Sequence, residues 1–128
     1  METVSIFRVE HPIEQVGPYR ASENRFDTAA LPRGENHPSI VQDTGYDCYG
    51  WPFGLVCGCE SMKGLRHWFF DRESIRMMEE KGFVINEYKV ERDEVKFGKS
   101  GTQVAFNNWR DDIVNTYPVT RLLTKRSN

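Results

Sequence analysis

Most of the fold can be predicted from 57-CGCESMKGLRHWFFDRESIRMMEEKGFVINEYKVERDEVKFGKSGTQVAF-106. Ser61 and Asp71 are both residues that favour the N-cap position, where a side-chain oxygen accepts a hydrogen bond from a backbone N–H of the first helical turn. Apolar residues recur at helical spacing after each of them. The segment therefore predicts two short helices, at about 61–70 and 72–81.

The period of the apolar residues changes from 3.6 to 2 after Gly82, which predicts a β-strand at 83–90 with apolar side chains on both faces. A strand with two apolar faces is typical of the centre of a sheet. Two shorter apolar runs, 95–97 and 102–106, flank the turn sequence Gly-Lys-Ser-Gly and predict a hairpin. The segment 57–106 is thus predicted to form a core of helix, helix, strand and hairpin.

Three shorter strands are predicted outside this core. Residues 4–10 alternate well enough to form a first strand, and 53–57 form a short one that leads into the first helix. Residues 113–119 form a last strand, and Pro118 places it at the edge of a sheet because proline donates no backbone hydrogen bond. Trp109 is expected to pack back on the sheet.

The whole chain, 1–128, is predicted to be a single α+β domain, because 128 residues suit one core and no internal repeat is present. We expect a small, mostly antiparallel sheet with two short helices. The region 11–52 holds most of the prolines and predicts a long N-terminal loop. Its aromatic residues indicate that this loop is ordered. Residues 120–128 form a basic tail.

The charge and the cysteines exclude several classes of function. Seventeen Lys and Arg against nineteen Asp and Glu give a formal net charge of −2, which supplies no basic surface for nucleic acid. The sequence contains neither a long apolar span nor a signal-peptide pattern, so no membrane contact and a cytoplasmic location are expected. The three cysteines predict reduced thiols, and the Cys57-Gly58-Cys59 spacing is one residue short of the usual zinc pair, so no metal site is predicted.

No catalytic residue can be assigned from a motif, because the chain contains no glycine-rich phosphate loop and no recognisable pair of nucleophile and base. The most distinctive feature of the long loop is its aromatic cluster at 46–53. Aromatic side chains on an ordered loop can stack a base or anchor a protein partner. They can also form a small core that holds the loop down, and the sequence leaves both interpretations open.

The order of the motifs resembles a family of small bacteriophage and prophage proteins whose function is not assigned. The motifs are Phe7-Arg8-Val9-Glu10, Gly17-Pro18-Tyr19, His37-Pro38, Asp43-Thr44-Gly45, the first helix with its approach at 57–69, Gly82-Phe83 and Gly101-Thr102-Gln103-Val104-Ala105-Phe106. This sequence departs from the family pattern at Cys59, where an aromatic residue is usual, and at Gly64 inside the first helix. The resemblance implies a viral origin and a role inside the infected bacterium.

This resemblance and the lack of a catalytic motif together favour a non-enzymatic protein that binds and modulates a host protein, for example as an inhibitor of a host-defence system. No cofactor is expected for such a role. The predicted contact surface consists of Tyr19, Arg20, Tyr46, Tyr49 and Trp51.

A second similarity is topological and supplies the alternative. ADP-ribosyltransferases place an Arg or His on an early strand, a Ser or Tyr at a strand-to-helix junction and a catalytic Glu on a late strand, around NAD. Arg8, Ser61 and Gln103 follow that order here. A glutamine cannot stabilise an oxocarbenium-like transition state by charge. The similarity implies a nucleotide binder or an enzyme of that type with NAD as its ligand, in which Arg8 and Ser61 hold the dinucleotide and Gln103 polarises it.

Overall fold

A computed structural model of the chain describes residues 2–13, 15, 17, 55–101 and 103–123. The strands and helices in this part are β1 (Thr3–Glu10), β2 (Leu55–Gly58), α1 (Met62–Trp68), α2 (Arg72–Glu80), β3 (Val84–Glu91), β4 (Lys96–Phe97), β5 (Val104–Asn107) and β6 (Ile113–Pro118). Short 3₁₀ turns lie at Arg92–Glu94, Arg110–Asp112 and Val119–Leu122. The chain is an α+β protein, as its sequence predicts.

Both helices begin at the predicted N-caps. The Ser61 hydroxyl accepts a hydrogen bond from the backbone N–H of Gly64 at 3.0 Å. The Asp71 carboxylate accepts one from the backbone N–H of Ser74 at 2.9 Å and a second from the Ser74 hydroxyl at 3.0 Å. After α2, Gly82 has a φ of +90°, which glycine adopts without a steric penalty. This glycine turns the chain from α2 into β3.

The strands form two antiparallel sheets of three strands each. The order is β1-β3-β6 in the first sheet, called sheet 1 below, and β2-β5-β4 in the second, sheet 2. β3 is central in sheet 1, and β4 with β5 forms the predicted hairpin. An isolated bridge joins the sheets, because Phe7 and Cys59 exchange backbone hydrogen bonds of 2.6 and 2.9 Å. The sequence pattern does not indicate this division into two sheets.

Two apolar clusters lie on opposite faces of sheet 1, because successive side chains of a strand point to opposite faces. One cluster packs sheet 1 against the helices and contains Val9, Leu65, Phe69, Ile75, Met78 and Ile85. The other packs sheet 1 against sheet 2 and contains Ile6, Tyr88, Val90, Val95, Val104 and Phe106. The molecule is therefore layered in the order helices, sheet 1, sheet 2.

Some of the predicted features lie outside the described residues. Of the predicted loop at 11–52, only residues 11–13, 15 and 17 are described. The predicted contact residues all fall in the undescribed part, namely Tyr19, Arg20, Tyr46, Tyr49 and Trp51. Residues 124–128 of the basic tail are undescribed as well. No helix in the described part is long and apolar enough to cross a membrane.

Candidate functional site

A group of polar side chains is buried on the face of sheet 1 that meets sheet 2. Arg8 and Glu10 follow Ile6 at intervals of two along β1, so all three point to this face. On β3, Asn86 pairs with Arg8 and Tyr88 pairs with Ile6. Cross-strand partners share a face, so strand register brings a carboxylate, a guanidinium, an amide and a phenol together.

The carboxylate of Glu10 is the centre of this group and is 0% exposed. Its Oε1 accepts hydrogen bonds from Arg8 Nε at 2.7 Å and from Asn108 Nδ2 at 3.3 Å. Its Oε2 accepts hydrogen bonds from Asn86 Nδ2 at 2.6 Å and from the Tyr88 hydroxyl. A buried charge is tolerated when it is paired and its lone pairs are satisfied, and Glu10 meets both conditions. We call these five residues the Glu10 cluster.

The guanidinium of Arg8 connects the cluster to two other segments. Its Nη1 donates to the backbone carbonyl of Cys57 on β2 at 2.8 Å, and its Nη2 donates to the carbonyl of Gln15 at 3.4 Å. A Cβ atom at Gly17 would lie 3.2 Å from Nη2, so the chain passes close beside the guanidinium. Arg8 therefore ties β1 to sheet 2 and to the segment that follows β1.

Gln15 and Tyr88 extend the network to the segment after β5. The Gln15 side-chain amide donates to the Tyr88 hydroxyl at 3.0 Å and to the backbone carbonyl of Asn108 at 2.9 Å. Burial and the hydrogen bond to Glu10 raise the pKa of the Tyr88 hydroxyl. Tyr88 thus stays a neutral donor to the carboxylate, and the cluster fixes residues 15 and 108 against the sheet.

The chemistry available in the described part is limited. Cys57 is exposed and Cys59 is buried. Burial, with the nearby Cys57 as a smaller cause, raises the pKa of the Cys59 thiol, which suppresses the reactive thiolate. Among residues 2–13, 15, 17, 55–101 and 103–123, no group of three or more His, Cys, Asp or Glu side chains is placed to hold a metal ion. In the Glu10 cluster, both carboxylate oxygens of Glu10 already accept hydrogen bonds from neighbouring side chains.

The three residues predicted to contact a nucleotide each form hydrogen bonds that belong to the fold itself. Arg8 belongs to the Glu10 cluster, whereas Ser61 caps α1. Gln103 is 4% exposed and lies just before β5, where its carbonyl accepts a hydrogen bond from the Gly98 N–H at 3.0 Å in the hairpin turn. Arg8 and Ser61 form hydrogen bonds with different partners. Their shared role toward a nucleotide stays a prediction.

Two large apolar side chains are exposed beside the cluster: Ile13 at 76% and Trp109 at 66%. The guanidinium of Arg110 donates to the carbonyls of Pro12 at 2.8 Å and Ile13 at 2.9 Å. These bonds, together with those of Gln15, hold the backbone segments that carry Ile13 and Trp109 together. We call Ile13 and Trp109 the exposed apolar pair.

The expectation that Trp109 packs back on the sheet is wrong. Its neighbour Asn108 directs its amide inward to Glu10, and consecutive side chains of an extended segment point in opposite directions. Trp109 has extended backbone angles, with φ of −63° and ψ of 131°. The inward placement of Asn108 therefore turns the indole toward solvent. The sequence gives no local signal for this choice, because it depends on a carboxylate almost a hundred residues away.

Comparison with known proteins identifies the family to which the chain belongs. Residues 1–120 match the family described as Bacteriophage T4 Y00F protein. No curated protein and no solved structure matches the chain. The match covers nearly the whole sequence and agrees with the resemblance to small phage proteins. The chain belongs to the bacteriophage T4 Y00F protein family.

Proposed function

We propose that this phage protein acts inside the infected bacterium by binding a host protein and modulating it, with inhibition of a host-defence system as one form of that activity. Membership in a phage family supports a role during infection. The observation that carries the proposal is the exposed apolar pair, Ile13 and Trp109. The pair provides a contact surface in the described part of the chain.

The chemistry of this surface fits a protein partner. Tryptophan is enriched among the residues that dominate binding energy, because its large ring buries much apolar area. Arg110 provides a charged group at the edge of the pair, and its bonds to the carbonyls of Pro12 and Ile13 hold the backbone in place. A surface that is already ordered loses less conformational entropy on binding. An apolar centre with a polar rim is the usual arrangement of a specific interface.

The proposal is tested by affinity capture with the full chain as bait in lysate of the host bacterium. The variant combines Ile13→Ser with Trp109→Ser, and the control is Phe70→Ser, because Phe70 is 69% exposed on the loop between α1 and α2. Loss of a contact worth about 2 kcal/mol weakens binding about 30-fold. We expect the wild type and the control to capture the same host protein and the variant to lose it. Equal capture by all three chains would refute the proposed surface.

The predicted loop surface is tested in the same assay. Tyr49→Ala combined with Trp51→Ala reduces capture if the loop contributes to the contact. The circular dichroism spectrum and the melting temperature of this variant show whether the fold is intact. Unchanged capture by an intact variant would remove the loop from the contact surface and leave the exposed apolar pair as its sole proposed part.

The nucleotide-binding alternative makes a contrasting prediction. The guanidinium of Arg8 is bonded to a buried carboxylate, so a dinucleotide phosphate would have to compete with Glu10 for it. We therefore expect millimolar NAD or ADP-ribose to leave the melting temperature unchanged. A ligand that binds the native state alone raises its stability by mass action. A rise of several degrees that Arg8→Lys abolishes would favour the alternative.

A further inference from the structure

β6 forms one edge of sheet 1. β6 lies at the end of the strand order and pairs with β3 on its inner side. Within the part of the chain that the structure describes, no strand pairs with its outer side. An open edge carries unpaired N–H and C=O groups and is a template for another strand. Charged side chains on an edge strand hinder such pairing, and the sequence of β6, IVNTYP, contains none. The protective features that β6 does have, Pro118 and the register shift at Val114, lie at its two ends.

Three side chains of β6 are hydrogen-bonded to the neighbouring strand of its own sheet. Asn115 Nδ2 donates to Glu87 Oε1 at 3.0 Å, and the Tyr117 hydroxyl donates to the same oxygen at 2.7 Å. The Thr116 hydroxyl donates to Asn86 Oδ1 at 2.7 Å. These bonds fix the strand before any partner arrives, which lowers the entropy lost on pairing.

The stretch that can accept another strand is short and has defined limits. A register shift opposite Glu87 and Tyr88 leaves Val114 without a partner on β3, and Val114 is 49% exposed. At the other end, Pro118 has no N–H to donate. The available edge therefore consists of residues 114–117.

The charges that flank β6 have opposite signs at its two ends. Asp111 and Asp112 precede the strand, and Arg121 follows it with its guanidinium 4.8 Å from the centre of the Tyr117 ring. If two copies of β6 pair antiparallel, the acidic end of each copy lies beside the basic end of the other. The complementarity then occurs twice, as a two-fold interface requires.

We propose that β6 pairs antiparallel with β6 of a second copy of this chain, so that two three-stranded sheets become one continuous six-stranded sheet across a two-fold axis. Paired residues of an antiparallel ladder share a face, so one residue of β6 lies opposite its own copy at the two-fold axis. With Thr116 at that position, Asn115 of each copy lies opposite Tyr117 of the other. Directly opposite side chains interact and stabilise the ladder. The interface uses the β6 edge and is independent of the proposed contact through Ile13 and Trp109.

Sedimentation velocity of the full chain, from micromolar to hundreds of micromolar, tests the dimer. Val114→Lys adds a lysine to the edge of β6, where a charged side chain hinders strand pairing, and we expect it to weaken dimerisation at least about tenfold. The control is Phe70→Lys, an exposed apolar side chain changed to lysine away from β6. We expect the wild type and the control to dimerise alike. A monomeric wild type at every concentration, or a dimer that Val114→Lys does not weaken, would overturn the proposal.

A charge exchange tests the two-fold arrangement separately from the edge. Arg121→Glu, and likewise Asp111→Arg with Asp112→Arg, should each weaken the dimer, because each places like charges together. The variant that carries all three changes should recover most of the wild-type affinity. Backbone amides of β6 should also exchange hydrogen more slowly as the concentration rises. No recovery in the triple variant, or protection of β6 that appears only when host lysate is added, would overturn pairing between copies.

Discussion

Glu10 is a carboxylate at 0% exposure whose hydrogen-bond donors come from β1, β3 and the segment after β5. A buried ion pair is weak evidence of net stabilisation, because both groups lose their hydration. Removal of one partner is different, since it leaves the other charge buried without compensation. The Glu10 cluster therefore fixes how β1, β3 and the segment after β5 are arranged. The fold is stable only while both charges of the ion pair are present.

Replacement of Glu10 by alanine should destabilise the protein by about 3–5 kcal/mol, because the Arg8 guanidinium would remain buried beside a cavity. The matched control is Glu91→Ala, which removes an exposed glutamate from the end of β3. Urea unfolding followed by circular dichroism gives both free energies of unfolding. A loss below about 1 kcal/mol for Glu10→Ala would show that the ion pair is dispensable.

The pKa of Glu87 makes the stability of the fold depend on pH in the acidic range. Its burial acts to raise the pKa, but hydrogen bonds from Tyr117, Asn115 and Ser5, with the charge of Lys89, lower it below the usual 4.5. A carboxyl whose pKa is lowered in the folded state adds stability above pH 4.5 that is lost as the pH falls through its folded pKa.

The prediction is that Glu87→Gln flattens the fall in unfolding free energy below pH 4.5. Denaturant unfolding at a series of pH values measures the slope, and Glu80→Gln at the exposed end of α2 is the control. Identical slopes in the wild type and Glu87→Gln would contradict the assigned hydrogen bonds.

At the scale of the elements, β2 approaches β1 so closely that one position tolerates no side chain. A Cβ atom at Gly58 would lie 2.6 Å from Ile6 Cγ2 and 3.0 Å from the Phe7 carbonyl. Gly58→Ala should therefore destabilise the protein by about 1–3 kcal/mol through overpacking. Cys57→Ala, at the exposed neighbouring position, is the control in thermal unfolding. Equal melting temperatures for the two variants would mean that β1 and β2 can move apart to accept a side chain at position 58 without a loss of stability.

The elements that the sequence predicts are those with local signals. The N-caps Ser61 and Asp71, the change of period after Gly82 and the hairpin turn all act within a few residues, and each is present in the structure. The division into two sheets rests on the bridge between Phe7 and Cys59, which no local pattern encodes. Long-range pairings of this kind are decided by tertiary packing.

The candidate site is predicted from sequence only in part. The sequence predicts a nucleotide contact for Arg8, whereas the structure places Arg8 on Glu10, which the sequence indicates only as part of a family motif. The alternation of Ile6, Arg8 and Glu10 along one strand is the available signal, because it places two charges on an otherwise apolar face. The exposure of Trp109 carries no such signal, since Asn108 determines it through Glu10.

In the molecule as a whole, the Glu10 cluster holds in place the segments that carry the exposed apolar pair. The cluster lies between the two sheets and holds Gln15 and Asn108, and the pair lies on the segments that these two residues fix. The layered core thus presents two apolar side chains to solvent. We infer that this surface, and not a nucleotide pocket, carries the function.

Site-specific photocrosslinking in infected host cells tests this claim. A photoreactive phenylalanine analogue replaces Ile13, which is 76% exposed, or Phe70, which is 69% exposed and serves as the control. We predict a discrete adduct with one host protein from position 13 and none from position 70. The absence of an adduct at position 13, or the same adduct from both positions, would contradict the claim.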